Sequence, residues 1–262
     1  VVASLDSDGF TVGTINSSNT KQYVGWNWKG DGVSGGTLNE DGSIDSYVNV
    51  NTISGFSIVK YTSPGTNNDE TIGHGLSQAP DMVIVKNLDS TYNWDVWTPS
   101  LQSGYDLRLN TNDAETASRW STTIPTASLV TLKDTYEVNG TDEYIAYCFH
   151  SVEGYSKVGR YPGYASTDGP FVYTGFKPAY VMIKNYGAAG HWNISDSVQD
   201  PDNPVMEYIY ANSTDHNTPY ANWDFLSNGF KLRINDSYWN TTGNSYVYIA
   251  FAESPFKTSN AR

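Results

Sequence analysis

The stretch Ala79-Pro80-Asp81-Met82-Val83-Ile84-Val85-Lys86-Asn87 recurs later in the chain as Pro178-Ala179-Tyr180-Val181-Met182-Ile183-Lys184-Asn185. Each is a continuous apolar run closed by Lys-Asn, as expected of a strand covered on both faces. Outward from it the match continues. Ser57-Ile58-Val59-Lys60-Tyr61 precedes the first copy and Ser156-Lys157-Val158-Gly159-Arg160-Tyr161 the second, and Gly73-His74-Gly75-Leu76 answers to Thr174-Gly175-Phe176. Downstream, Trp94 pairs with Trp192 and Leu109-Asn110 with Ala211-Asn212, while Tyr144-Ile145-Ala146 reads as the counterpart of Tyr248-Ile249-Ala250.

Between these runs lie clusters of Gly, Asn, Asp, Ser and Pro, with Asp8-Gly9, Asp41-Gly42, Asn139-Gly140 and Asn228-Gly229 as turn signals. No segment sustains a helical period. The reading is all-β, with tandem antiparallel β-sandwich repeats of jelly-roll type. Residues 1–54 form a partial repeat plus the Gly-rich linker Lys29–Gly36, residues 55–154 the first sandwich and 155–262 the second. Asp8-Gly9-Phe10-Thr11-Val12 and Tyr23-Val24-Gly25-Trp26 match Asn228-Gly229-Phe230-Lys231-Leu232 and Tyr248-Ile249-Ala250-Phe251. The expectation is therefore that the chain opens on the end of a repeat, with residues 1–30 completing a later sheet or following an upstream module.

Charged residues make up only 16% of the 262 and aromatic residues 14%, so the surface must be built from Ser, Thr, Asn and Gly. A net charge of −13 with Lys and Arg scattered singly excludes nucleic acid as a partner. No apolar run approaches the ~18 residues of a membrane-spanning helix, so membrane insertion is not expected. The single cysteine, Cys148, lies in an apolar run and reads as a buried core thiol, which rules out an intramolecular disulfide.

The order of motifs from Asp8-Gly9-Phe10-Thr11-Val12 through Trp26-Asn27-Trp28-Lys29, Gly73-His74-Gly75-Leu76 and Ala79–Asn87 to Gly154-Tyr155-Ser156-Lys157 resembles a repeat domain of tailed-bacteriophage virion proteins. That domain occurs in tail-fibre, capsid-fibre and other structural proteins of marine and cyanobacterial phages, often after a lectin-like SPRY module. The resemblance implies a virion-surface location for a protein folded in the reducing host cytoplasm, with other virion subunits as partners. It carries no catalytic residues with it.

The residues themselves point to binding rather than catalysis. His74, His150, His191 and His216 form no metal-ligand spacing, and no Gly-x-Ser-x-Gly elbow occurs. Candidate carboxylate pairs, Asp69-Glu70, Asp142-Glu143 and Asp200 with Asp202, sit in polar turns where solvated loop carboxylates are the rule. No cofactor is expected. Calcium is the better ion hypothesis, at Asp6-Ser7-Asp8-Gly9, Asn39-Glu40-Asp41-Gly42 and Asp200-Pro201-Asp202-Asn203, none of which completes an EF-hand loop. Sugar rings stack on tryptophan and tyrosine, so the aromatic excess suits a host-surface glycan. Trp94 and Trp192, equivalent in the two copies, read as core. Trp97, Trp120 and Trp239, without evident counterparts, are the candidate ligand or interface residues, together with Tyr105 and Tyr164. The expected protein is a non-enzymatic fibre or adhesin segment, or a capsid or tube decoration protein, whose sheet edges are covered in a homo-oligomer, most simply a trimer.

Overall fold

A computed structural model describes residues 2–6, 9–13, 24–215 and 222–254. Ser7, Asp8, Tyr23 and His216, singled out above, lie outside these. The described residues form antiparallel sheets and no helix.

The N-terminal part contributes β1 (Val2–Asp6), β2 (Gly9–Val12), β3 (Thr37–Asn39) and β4 (Ser46–Asn51). The first copy follows with β5 (Phe56–Thr62), β6 (Glu70–Gly73), β7 (Met82–Asn87), β8 (Trp94–Trp97), β9 (Tyr105–Arg108), β10 (Thr116–Ala117), β11 (Leu129–Leu132) and β12 (Glu143–Phe149). The second runs through β13 (Ser156–Pro162), β14 (Phe171–Tyr173), β15 (Pro178–Asn185), β16 (Asn193–Asp196), β17 (Ile209–Tyr210), β18 (Trp223–Leu226), β19 (Gly229–Leu232) and β20 (Ser245–Ala252).

The main sheet of the first copy has the order β10-β9-β8-β7-β12-β5-β4-β3, and that of the second β17-β16-β15-β20-β13. From β9 to β5 and from β17 to β13 the two orders are the same. Each main sheet carries a smaller sheet on its outer face, β11-β6 in the first copy and β14-β19-β18 in the second. The registers fix the equivalences: Tyr144 stands opposite Tyr61 and Asn87, and Tyr246 opposite Tyr161 and Asn185. Tyr144 therefore corresponds to Tyr246, two residues before the position read from the sequence. A slip of two keeps every side chain on its own face, so alternation alone cannot detect it. The repeated string Tyr-Ile-Ala drew the alignment to the wrong tyrosine.

Alternation along each central strand feeds two cores. Tyr144, Ala146 and Cys148 of β12 face the outer sheet of the first copy with Ile72, Val130 and Leu132, whereas Phe149 faces the other way. Tyr246, Tyr248 and Ala250 of β20 face Phe230 and Leu232, whereas Val247, Ile249 and Phe251 face back toward Phe149. The two main sheets thus pack on each other through a shared central core. Four sheet layers follow, and covering on both faces accounts for the continuous apolar runs of β7 and β15. Hydrogen bonds also join the copies: the Trp192 indole N–H donates to the Arg108 carbonyl at 2.8 Å, and the Gly190 amide to the Asn112 carbonyl at 2.8 Å. Burial pushes the Cys148 thiol up to about 12, which keeps it unreactive.

β3 and β4 extend only the first copy's sheet. Gly73 permits this, because a β-carbon there would collide with the Asn39 side chain, and Ser46 Oγ donates to the Gly73 carbonyl at 2.9 Å. The corresponding residue in β14 is Tyr173, whose side chain occupies that space and is exposed.

One polar arrangement occurs twice. Tyr61 stacks on Tyr144 with centroids 5.1 Å apart, and Tyr161 on Tyr246 at 5.0 Å. The outer hydroxyls donate to the carbonyls of Val138 at 2.6 Å and of Trp239 at 2.8 Å. The inner hydroxyls donate to the carbonyls of Tyr136 and Ser237 and accept from the amides of Gly140 and Thr241. Asn87 and Asn185 donate to those same carbonyls of Tyr136 and Ser237, while their Oδ1 atoms cap the turns after β7 and β15. Removal of an outer hydroxyl strands a carbonyl without its partner at a buried site. Tyr61→Phe and Tyr161→Phe should each lower stability by about 1–3 kcal/mol in urea unfolding, while the exposed control Tyr47→Phe should leave it unchanged.

Candidate functional site

The loops held by these hydroxyls meet the β8–β9 end of the first copy and the β16–β17 end of the second. Matching hydrogen bonds set the residue equivalence there. Trp94 N–H donates to Asn110 Oδ1 at 3.0 Å and Trp192 N–H to Asn212 Oδ1 at 2.9 Å, and the amides of Leu109 and Ala211 return to the carbonyls of Trp94 and Trp192. Asn93 and His191 are therefore twins, as are Asp95 and Asn193, Asp106 and Tyr208, and Arg108 and Tyr210. In the loops, Glu137 matches Tyr238 and Val138 matches Trp239.

In the first copy this position is charged and closed. Asp95 and Asp106 are 1% and 0% exposed, and their carboxyl oxygens have no hydrogen-bonding partner except each other. Burial, then the neighbouring Asp95, pushes Asp106 up to about 9, and burial raises Asp95 as well. Arg108 and Arg119 oppose the rise, but Arg108 is also engaged with Asp113 at 3.2 Å and Arg119 is paired with Glu137. The pair therefore keeps a proton at neutral pH. Two carboxyls with separated proton affinities could perform acid–base chemistry in the open, but these are sealed from solvent.

In the second copy the same position is uncharged and aromatic. A ladder of rings climbs from the core to the surface. Trp223 meets Trp239 at 4.8 Å, Trp239 meets Tyr208 at 5.2 Å, Tyr208 meets Tyr210 at 5.4 Å, and Tyr210 stacks on His191 at 4.2 Å with Tyr238 nearby. Trp223 and Trp239 are buried, His191, Tyr208 and Tyr210 half-buried, and Tyr238 exposed. Asn212 Nδ2 lies 2.9 Å from His191 Nδ1, and Ser213 Oγ donates to Asp215 Oδ2 at 2.6 Å, so amide, hydroxyl and carboxylate groups border the rings. Ring faces bordered by short polar side chains are what an amphipathic ring such as a sugar needs.

The structure buries the three tryptophans chosen from the sequence. Trp97, Trp120 and Trp239 are 6%, 1% and 2% exposed. Trp97 stacks on Trp120 inside the first core, and Trp239 stands where the first copy has Val138, in the middle of the second. Their rings fill the two cores and present almost no surface. Tyr105 is half-buried on β9 in the first copy. Tyr164 is 69% exposed, and its amide donates to Asn240 Oδ1 at 2.7 Å, beside Trp239 in the chain. The residues that sequence reasoning passed over are His191, Tyr208 and Tyr210. Tyr208-Ile209-Tyr210 does carry a signal, since alternation along extended chain places both tyrosines on one side.

Four of the carboxylates proposed as pairs or ion ligands have partners within the protein. Asp69 accepts from Ser121 Oγ and the Asp134 amide, Asp142 accepts from Asn87, Glu143 pairs with Lys60 at 3.1 Å, and Asp200 accepts from the amides of Met206 and Glu207. Among the described residues no three His, Cys, Asp or Glu side chains converge on a metal position. His74 is buried, with Nδ1 accepting from the Leu76 amide and Nε2 donating to the Thr126 carbonyl.

These features define an all-β protein whose paired, like-ordered sheets carry a sealed acid cluster in one copy and an open aromatic ladder at the corresponding place in the other. The chain belongs to the family described as a domain of unknown function, DUF7483, which covers residues 1–255. No curated protein and no solved structure matches it.

The acid pair gives a pH dependence of definite sign. A carboxyl raised by folding contributes its stability below its unfolded value and loses it as pH rises through the folded one. For Asp106 the decline runs from the ordinary carboxylate range near 4 up to about 9. Asp106→Asn should raise the thermal midpoint at pH 9 by about 2–8 °C and flatten its fall between pH 5 and pH 9. Asp95→Asn, which installs the residue its twin position already holds, should do the same. Scanning calorimetry across that range decides it.

Proposed function

We propose that the protein is a structural surface component of a tailed-phage virion, a fibre or adhesin segment that binds host-surface glycan through the aromatic ladder of its second copy and does not cleave it. The observation that carries the reading is the graded exposure of the ladder. Buried Trp223 and Trp239 hold half-buried His191, Tyr208 and Tyr210 in place, and exposed Tyr238 with Asn212, Ser213 and Asp215 borders them. Preorganised rings lose little entropy on binding, and neighbouring amides and hydroxyls fix the orientation of a sugar. The motif order shared with virion repeat domains supports the location, and a net charge of −13 favours a neutral glycan over an acidic one.

A second reading, architectural decoration of a capsid or tube, is favoured by one feature. Phe171 and Tyr173 point outward from the edge strand β14 at 45% and 65% exposure, an apolar edge suited to a neighbouring subunit in a homo-oligomer such as a trimer.

A host-glycan array separates the two. Tyr210→Ala and Tyr238→Ala should each weaken the best ligand by ~1–3 kcal/mol, about five- to 150-fold, with the fold intact by circular dichroism, and incubation should release no reducing ends. Release of reducing ends would overturn the binding-only reading. Failure to bind any glycan, together with stoichiometric attachment to capsid or tail subunits that Tyr173→Asp abolishes, would establish the architectural one.

A further inference from the structure

Between the two main sheets lies a cavity of about 250 Å³ whose lining includes no charged residue. Ile84 and Leu109 of the first copy and Tyr180 and Ala211 of the second form parts of its wall, and Trp26 and Trp28 complete it. The walls are rigid where they are aromatic: Trp26 meets Tyr180 edge-on at 5.1 Å, and Trp28 lies 5.3 Å from Phe251. The void has a cause in the chain. Leu109 and Ala211 are twins, each bonded through its amide to the carbonyl of the equivalent tryptophan, so the second copy presents a methyl group where the first presents an isobutyl group. Ala211 is exposed, so the cavity meets solvent there.

A second observation is independent of shape. The Trp26 indole N–H is buried and has no hydrogen-bonding partner. An unpaired buried donor in an apolar wall is unfavourable, and an acceptor carried in by a guest would relieve it. We infer that the cavity is a binding site for a small uncharged apolar molecule of the alkyl-alcohol or acyl type, its chain between the sheets and its one acceptor oxygen on Trp26. A charged headgroup has no partner in the wall, and a two-chain lipid exceeds the volume. Residues 24–30, which carry both tryptophans, belong to no strand.

The test uses the uncharged fluorophore N-phenyl-1-naphthylamine on the full chain, with 1-decanol and decane as competitors. Expected are saturable binding at one site per chain, displacement by decanol at lower concentration than by decane, and loss of that preference in Trp26→Phe. Ala211→Leu copies the twin residue into the void. It should weaken probe binding at least tenfold while raising the thermal midpoint, and Ala189→Leu, on the surface away from the cavity, should change neither. Absence of saturable binding, binding indifferent to Ala211→Leu, or a lowered midpoint in that variant would overturn the site, because each means that the walls close on themselves. The glycan reading concerns His191, Tyr210 and Tyr238, so either result stands without the other.

Discussion

A pair of tyrosines facing each other across two central strands is the contact on which each half of this molecule depends. The stacked rings of Tyr61 and Tyr144, and of Tyr161 and Tyr246, lie in the middle of a core, yet the two hydroxyls of each pair donate to main-chain carbonyls of a single loop in their own copy. Buried main-chain carbonyls and amides need partners, and a loop over a sheet has no ladder to supply them. The hydroxyls do so from below. They thereby fix the height and direction of the loop residues, Glu137 in one copy and Tyr238 in the other, that line the candidate site.

With the scaffold so constrained, the two copies could diverge at corresponding positions without disturbing the fold. The first copy buries Asp95 and Asp106 and stays neutral enough by retaining a proton, which makes its site a matter of stability and pH. The second replaces the same side chains with an amide and rings, which carry no charge and whose outermost members can stay near solvent. Of the two corresponding positions, the one in the second copy borders solvent and the one in the first does not. Both sites lie at the same end of their sheets, where β9 and β17 are short and the loops carry the variation.

Much of the fold was legible in the sequence because burial on both faces of β7 and β15 leaves a continuous apolar run that little else produces. The turn signals and the absence of a helical period supplied the class. The site was less legible, for identifiable reasons. Trp239 was read as lacking a counterpart because its twin, Val138, shares only apolarity with it, and the match is carried by main-chain bonds to Tyr61 and Tyr161. Trp97 and Trp120 are partners of each other, so neither has to recur in the second copy. Asp95 and Asp106 come from different strands, and nothing in sequence spacing brings them face to face. Aromatic count alone does not separate a ring that fills a core from one that borders solvent, since both serve the same hydrophobic demand.

The interface between the copies behaves like that of a twofold dimer built within one chain. Phe149 and Phe251 are twins and touch each other, 6.2 Å between centroids, so the approximate axis passes between them and each main sheet offers the same face to its neighbour. At such an interface, a difference between copies that would be absorbed elsewhere becomes a mismatch of shape. Met82 opposes the role of Tyr180, Ile84 that of Met182, and Leu109 that of Ala211, and the void opens where the smaller partner falls. Trp26 and Trp28 lean over Phe149, Tyr180 and Phe251, and among the described residues no second pair of tryptophans does so. The asymmetry of the central core is thus the cumulative result of the divergence that gave the two copies different sites, and the cavity follows from it as directly as the aromatic ladder does.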